Sequence, residues 1–212
     1  EIKDSKLILL EFPSRLFIFK MRDVHYFSGR MGNEMFRHAY LYAQMREGNI
    51  PDVYVQNIKY FEKYEKEIKE LFGEGIGYLP YVAIHLRVGV NPTNPEEPKY
   101  IDNPFYVSLA KTGYYIDAIN LFPNRKFLVF SDDIPFAKTY FEGDKFAFDD
   151  SENDIDSFNR MASCDSQMIA NSSFSWWAAF LNPNPSKKVV APKLWFANGM
   201  PKPSYPQNWI SV

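Results

Sequence analysis

Apolar and polar positions follow different rules on the two sides of Tyr81. Before it, "NEMFRHAYLYAQMRE" (33–47) places apolar residues at Met35, Phe36, Ala39, Tyr40 and Ala43, a spacing that predicts an amphipathic helix. Short alternating stretches at 22–28 and at "DVYVQN" (52–57) predict strands. "IKYFEKYEKEIKELFGEG" (58–75) sets charges at i to i+4 spacing before a glycine stop, which predicts a solvated helix. From Tyr81 onward, "YVAIHLRV" (81–88) and "RKFLVFSDD" (125–133) are continuous apolar runs ending in polar residues. Parallel strands buried on both faces, with chemistry at their C-terminal ends, have this pattern. "QMIANSSFSWWAAFLN" (167–182) repeats it as strand, Ser-rich turn and aromatic helix, and "KKVVAPKLWF" (187–196) adds a further strand. Helical connectors are expected at 104–120, 134–141 and 155–163, so residues 81–212 are expected to form an α/β sheet. "NPTNPEEPKYIDNP" (91–104), with four prolines, cannot be a regular element and is expected to face a ligand.

Residues 1–20 are read as an extension without assigned role. Their two apolar bursts are interrupted by Glu11, Pro13 and Arg15, well below the ~18–20 unbroken apolar residues of a membrane span. Residues 21–80 are expected to form a first, reduced lobe and 81–212 the main α/β unit.

Composition narrows the chemistry. The chain has 212 residues, 46% of them hydrophobic and 17% aromatic, enough for a sizeable core. A net charge of −2 supplies no global field for nucleic acid, though a local basic cleft for a phosphorylated ligand is compatible with it. The single cysteine, Cys164, leaves neither a disulfide framework nor a Cys-based metal site. The histidines at 25, 38 and 85 lack metal-ligand spacing. The "DID" at 154–156 reads as acidic helix-initiating residues rather than metal ligands.

Three strand ends remain. His85 and Arg87 alternate onto one side of their strand, and Gly89 permits a close backbone approach. Arginine offers a permanently charged planar fork suited to phosphate; the plainer reading is a satisfied histidine and a surface arginine. Asp132 and Asp133 in "FSDD" can accept from a base edge or cap the next helix, and at least one is expected to cap. The turn "NSSFSWW" offers Asn171, Ser173 and Ser175 around a helix N-terminus, a phosphate nest by type. Trp176 and Trp177 could stack on a base, but such side chains are more often core. A fourth feature, "RMGNEMFRHAY" (30–40), sets a glycine turn against a helix and raises the question of what that turn must approach so closely.

In chain order, "FSGRMGNEMFRHAYLYAQMR", "VAIHLRVG", "FLVFSDD" and "MIANSSFSWWAAFLNPNPSKKVVAPKLWF" closely resemble glycosyltransferase family 11, the α-1,2-fucosyltransferases. The resemblance implies a GT-B-like architecture with a Rossmann-type parallel sheet, GDP-β-L-fucose as donor, inversion at the fucose anomeric carbon, and neither cofactor nor metal. It implies that Gly29, Gly32 and Asn33 approach the sugar diphosphate. Arg87 matches the first arginine of the family's H-x-R-R-G-D motif and would neutralise the leaving β-phosphate. His85 with Asp132 or Asp133 would hold guanine or ribose, and Ser173 and Ser175 phosphate. The motif's second arginine is Val88 here and its aspartate Val90, which leaves Glu34 as the candidate base. The expected acceptor is a galactose-terminated glycan in bacterial surface polysaccharide assembly. The expected location is the cytoplasm, with peripheral inner-membrane contact as an option. A catalytically silent GDP-sugar- or glycan-binding module and a transferase of different linkage are the alternatives.

Overall fold

The computed structural model describes residues 6–12, 15–21, 32–33, 35–36, 39–40, 42–43, 58–73, 77–89, 106–197 and 202–212. The predicted strands at 22–28 and 52–57 lie outside them, as does the Pro-rich loop. Strands β1 (Lys6–Phe12) and β2 (Arg15–Met21) form an antiparallel pair of their own, closing at Phe12 and Arg15. The stretch read as an unassigned extension therefore contains a two-stranded ribbon.

The main sheet has six strands: β3 (Leu79–Leu86), β4 (Phe127–Ser131), β5 (Phe146–Phe148), β6 (Cys164–Met168), β7 (Val189–Ala191) and β8 (Ile210–Ser211). They lie in the order β5-β4-β3-β6-β7-β8 with every neighbouring pair parallel. Counted from β3 this is 3-2-1-4-5-6, the doubly-wound Rossmann order, whose switch point falls between β3 and β6. The expected Rossmann-type sheet is present.

Helices α1 (Glu65–Phe72), α2 (Tyr114–Asn120), α3 (Ile134–Tyr140), α4 (Asp154–Ala162) and α5 (Ser173–Leu181) complete the regular structure. The helix expected over 104–120 is shorter, with a 3-10 turn at Leu109–Lys111 before α2. The charged stretch from Ile58 begins as two 3-10 turns and becomes α-helical only at Glu65.

Alternation along β3 and β4 divides the core. Val82, Ile84, Leu86, Phe127 and Val129 join α2 and α3 in one apolar cluster. Ala83, Leu128 and Phe130 join α4 and α5 in the other. Gly32, Asn33, Met35, Phe36, Ala39, Tyr40, Tyr42 and Ala43 are helical, as the 3.6 period predicts. Met35, Phe36, Ala39 and Ala43, with Phe61 and Ile68, share the second cluster with Trp176 and Trp177. Phe36 lies 4.5 Å from Trp176, and Phe61 stacks on Trp177 at 5.5 Å. Both tryptophans are fully buried, so they take the core role. Aromatic pairs of this kind add about 0.5–1.5 kcal/mol each beyond their buried area.

β6 begins three residues before the predicted "QMIA" strand, because Asp165 and Ser166 find partners from elsewhere in the chain. Ser166 Oγ accepts from the Lys188 N–H at 3.1 Å, and Gln167 Nε2 donates to Met161 C=O at 2.9 Å. At its lower end Asp165 pairs with Arg125 at 2.6 Å and accepts from Tyr78 Oη at 3.0 Å. Cys164 is buried, and burial pushes its thiol up to about 12, so it is a core residue. Asn153 caps α4 by accepting from the Ile155 and Asp156 N–H groups, so "DID" begins a helix as read.

Candidate active site at the switch point

The C-terminal ends of β3, β4 and β6 bring together most of the described candidate residues. Alternation turns Leu86 and Val88 toward the α2/α3 layer and His85 toward α5, whose Phe174 ring lies 5.7 Å away. Val88 is fully buried in that apolar layer. The position at which the family motif has its second arginine is thus, in this chain, a core position on the face opposite His85.

Asp132, at the end of β4, accepts at 2.8 Å from the N–H of Val88 and at 2.8 Å from that of Gly89. The same carboxylate forms an ion pair with Arg87. Gly89 has a φ of 87°, a left-handed conformation that turns the chain so its N–H meets Asp132 and that other residues rarely adopt. The adjacent Asp133 caps α3, its Oδ1 accepting from Phe136 N–H at 3.0 Å. The two acidic residues therefore divide the work, one on the arginine and one on the helix. Asp133→Ala is expected to cost about 1 kcal/mol, read as a lower midpoint in thermal denaturation.

His85 is 6% exposed, and its Nδ1 is buried without a hydrogen-bond partner. Burial first, and the Arg87 charge second, lower its pKa to about 3, against a weaker opposing pull from Asp132. The ring is therefore a neutral imidazole at physiological pH. Tyr115 Oη donates to the His85 carbonyl at 2.7 Å and fixes the strand behind it. Between pH 3 and 6.5 the unfolded chain binds the proton that the folded one refuses, so this contribution is complete above pH 6.5 and declines as pH falls. Replacing His85 with Gln is expected to flatten the dependence of melting temperature on pH between 4.5 and 6.5; an unchanged slope would mean that the imidazole charges freely in the fold.

The β6–α5 turn forms the other wall. Ser175 is fully buried; its Oγ accepts from Ala170 N–H and donates to Ser172 C=O, both at 3.2 Å. Asn171, 2% exposed, donates from Nδ2 to Val107 C=O at 2.8 Å and Trp195 C=O at 3.0 Å. It ties down the segments that bridge at Tyr106 and Phe196. Ser173 Oγ donates to Asn33 Oδ1 at 2.6 Å, joining the first motif to the last across 140 positions.

Gly32 answers the question of the glycine turn. A Cβ there would lie 2.5 Å from the Ser173 carbonyl carbon, 2.6 Å from Phe174 N and 2.7 Å from the Ser173 oxygen. The glycine lets the first-motif helix rest on the first peptide of α5. The N-terminal turn of α5, where a helix favours an anion, is therefore built by both motifs. Gly29, Glu34 and Val90 lie outside the described residues.

Three participants escaped the sequence reading. Phe174 stood inside the quoted aromatic motif but was passed over beside its tryptophans. Tyr115 carried no local signal. The pairing of Asp132 with Arg87 spans 45 positions and leaves no mark in either stretch. Among the described residues, no group of three His, Cys, Asp or Glu side chains is placed to hold a metal ion, and no helix is long and apolar enough to cross a membrane.

The chain is similar to the O-antigen biosynthesis glycosyltransferase WbnK of Escherichia coli, 30% identical over 138 residues, covering 61% of this chain and 44% of that protein. It is also similar to an alpha-1,2-colitosyltransferase of Escherichia coli, 31% identical over 163 residues, covering 66% of this chain and 54% of the relative. The chain thus spans about half the length of these curated relatives. No solved structure matches. The profile of glycosyl transferase family 11 matches residues 35–212, which takes in His85, Arg87, the two aspartates and the whole β6–α5 turn, and by that match the chain belongs to this family.

Proposed function

We propose that the protein is an inverting glycosyltransferase that moves L-fucose from GDP-β-L-fucose to the 2-hydroxyl of a terminal galactose on a surface glycan. The observation that carries this reading is the placement of Arg87, paired with Asp132, just past the C-terminal end of β3, the strand that borders the switch point of a 3-2-1-4-5-6 sheet and whose His85 faces Phe174 in the first turn of α5. Ligands of doubly-wound sheets bind in that crevice. In the proposed reaction the acceptor oxygen attacks the anomeric carbon, the bond from that carbon to the β-phosphate oxygen breaks, and GDP departs with the electron pair. Arg87 stabilises the charge gathering on the phosphate, and the α5 N-terminus adds its dipole. The neutral His85 and the hydroxyl of Ser173 complete the donor wall, and Glu34 is the proposed base for the acceptor proton. A GT-B arrangement, metal independence and a cytoplasmic, membrane-peripheral location belong to the same proposal.

The relative named for colitosyl transfer supports an α-1,2 linkage and keeps a second donor sugar in view. A silent GDP-sugar-binding module is the second reading, favoured by one observation: Asp132 already balances the charge of Arg87. The test is GDP release from GDP-fucose with and without β-galactoside acceptors, followed by linkage analysis of the product. Acceptor-dependent release with a 1,2-linked product is expected. GDP binding without release from any acceptor would select the silent module.

A further inference from the structure

We propose that Asp132 is a positioning residue that acts on the leaving diphosphate through Arg87, instead of contacting the nucleotide itself. This rests on the donor reading above and deepens it. β3 ends at Leu86, so the N–H groups of Val88 and Gly89 lie beyond its last paired residue. Asp132 takes both of them, one on each carboxylate oxygen, and takes the Arg87 guanidinium as well. Three donors from three successive residues thus converge on one carboxylate of the neighbouring strand.

That convergence does two things. The backbone contacts set the path of the chain as it leaves the sheet, and the ion pair sets where the arginine's charge sits. The Arg87 and Asp132 side chains are 15% and 18% exposed, so the pair is partly withdrawn from water and less screened than a surface pair. A carboxylate already holding three donors is poorly placed to accept from a guanine edge or a ribose hydroxyl. The sequence reading offered Asp132 or Asp133 for that contact; Asp133 is committed to Phe136 N–H and Asp132 to the arginine and the chain behind it.

A double-mutant cycle tests the proposal, with kcat for acceptor-dependent GDP release, donor KM and calorimetric GDP affinity as readouts. Asp132→Asn is expected to lower kcat roughly 10- to 100-fold, the range for groups that orient a primary ligand, with a smaller change in donor KM. In an Arg87→Ala background the same substitution is expected to lower kcat no further. A merely structural aspartate would multiply the two losses, and that additive result overturns the proposal, as does an unchanged kcat in Asp132→Asn. If Asp132→Asn does not fold, Asp132→Glu serves in the same cycle with the same two outcomes. A wild-type protein that neither binds GDP nor releases it would instead sink the donor reading on which the proposal stands. The two failures are therefore separate.

Discussion

Arg87→Ala is expected to lower acceptor-dependent GDP release by about 10²- to 10³-fold while leaving a folded protein. The size follows from where the charge develops. A diphosphate gains charge as its bond to the sugar breaks, so a cation fixed at that position lowers the barrier more than it strengthens substrate binding. The loss should therefore appear mainly in kcat. The structural cost is smaller. The variant leaves Asp132 without its cationic partner, but that carboxylate keeps the Val88 and Gly89 N–H groups and is partly exposed. A stability loss of about 1 kcal/mol is expected, a fall of roughly 2–4 °C in melting temperature for a chain of this size. Steady-state kinetics beside a thermal melt checks both parts. A variant that melts normally and turns over normally would remove Arg87 from the leaving group.

Gly32→Ala is expected to destabilise the fold and weaken donor binding together. Two effects oppose each other. Alanine in a helix interior is favoured over glycine by about 1 kcal/mol. The added methyl, however, would sit 2.5–2.7 Å from three backbone atoms of Ser173 and Phe174. Overfilling a packed contact costs about 1–3 kcal/mol and more when the obstacle cannot rotate away. A peptide bond at the start of α5 cannot rotate away, so the clash outweighs propensity and a net loss of about 2 kcal/mol is expected, or roughly 4–8 °C in melting temperature. The helices must separate, which lengthens the Ser173–Asn33 hydrogen bond and shifts the α5 N-terminus. Calorimetric GDP affinity should fall alongside stability. A higher melting temperature than wild type would show that the first-motif helix sits farther from α5.

Much of the architecture was legible where burial is periodic. Continuous apolar runs at 81–88 and 125–133 predicted parallel strands, because a strand covered on both faces has no polar face to alternate with. The cap of α3 was legible because a side-chain acceptor and the N–H group it serves lie within three residues of each other. β5 and β8, three and two residues long, are too short to establish a period, and were not foreseen. The start of β6 was misplaced because Asp165 and Ser166 read as polar while their partners, Arg125, Tyr78 and Lys188, lie elsewhere in the chain.

The chain's own pattern determined that an α/β unit exists and that the candidate residues His85, Arg87, Asp132, Asp133 and the Ser-rich turn fall at strand ends. Only the tertiary structure decided what each residue does there. It turned Val88 into the core, assigned Asp133 to a helix and Asp132 to Arg87, and spent Gly32 on the first peptide of α5. The physical reason is range. Burial and capping act between neighbours and leave a local imprint, whereas the partner of a buried charge or of a close backbone contact is chosen by strand order, which brings together residues 45 and 140 positions apart.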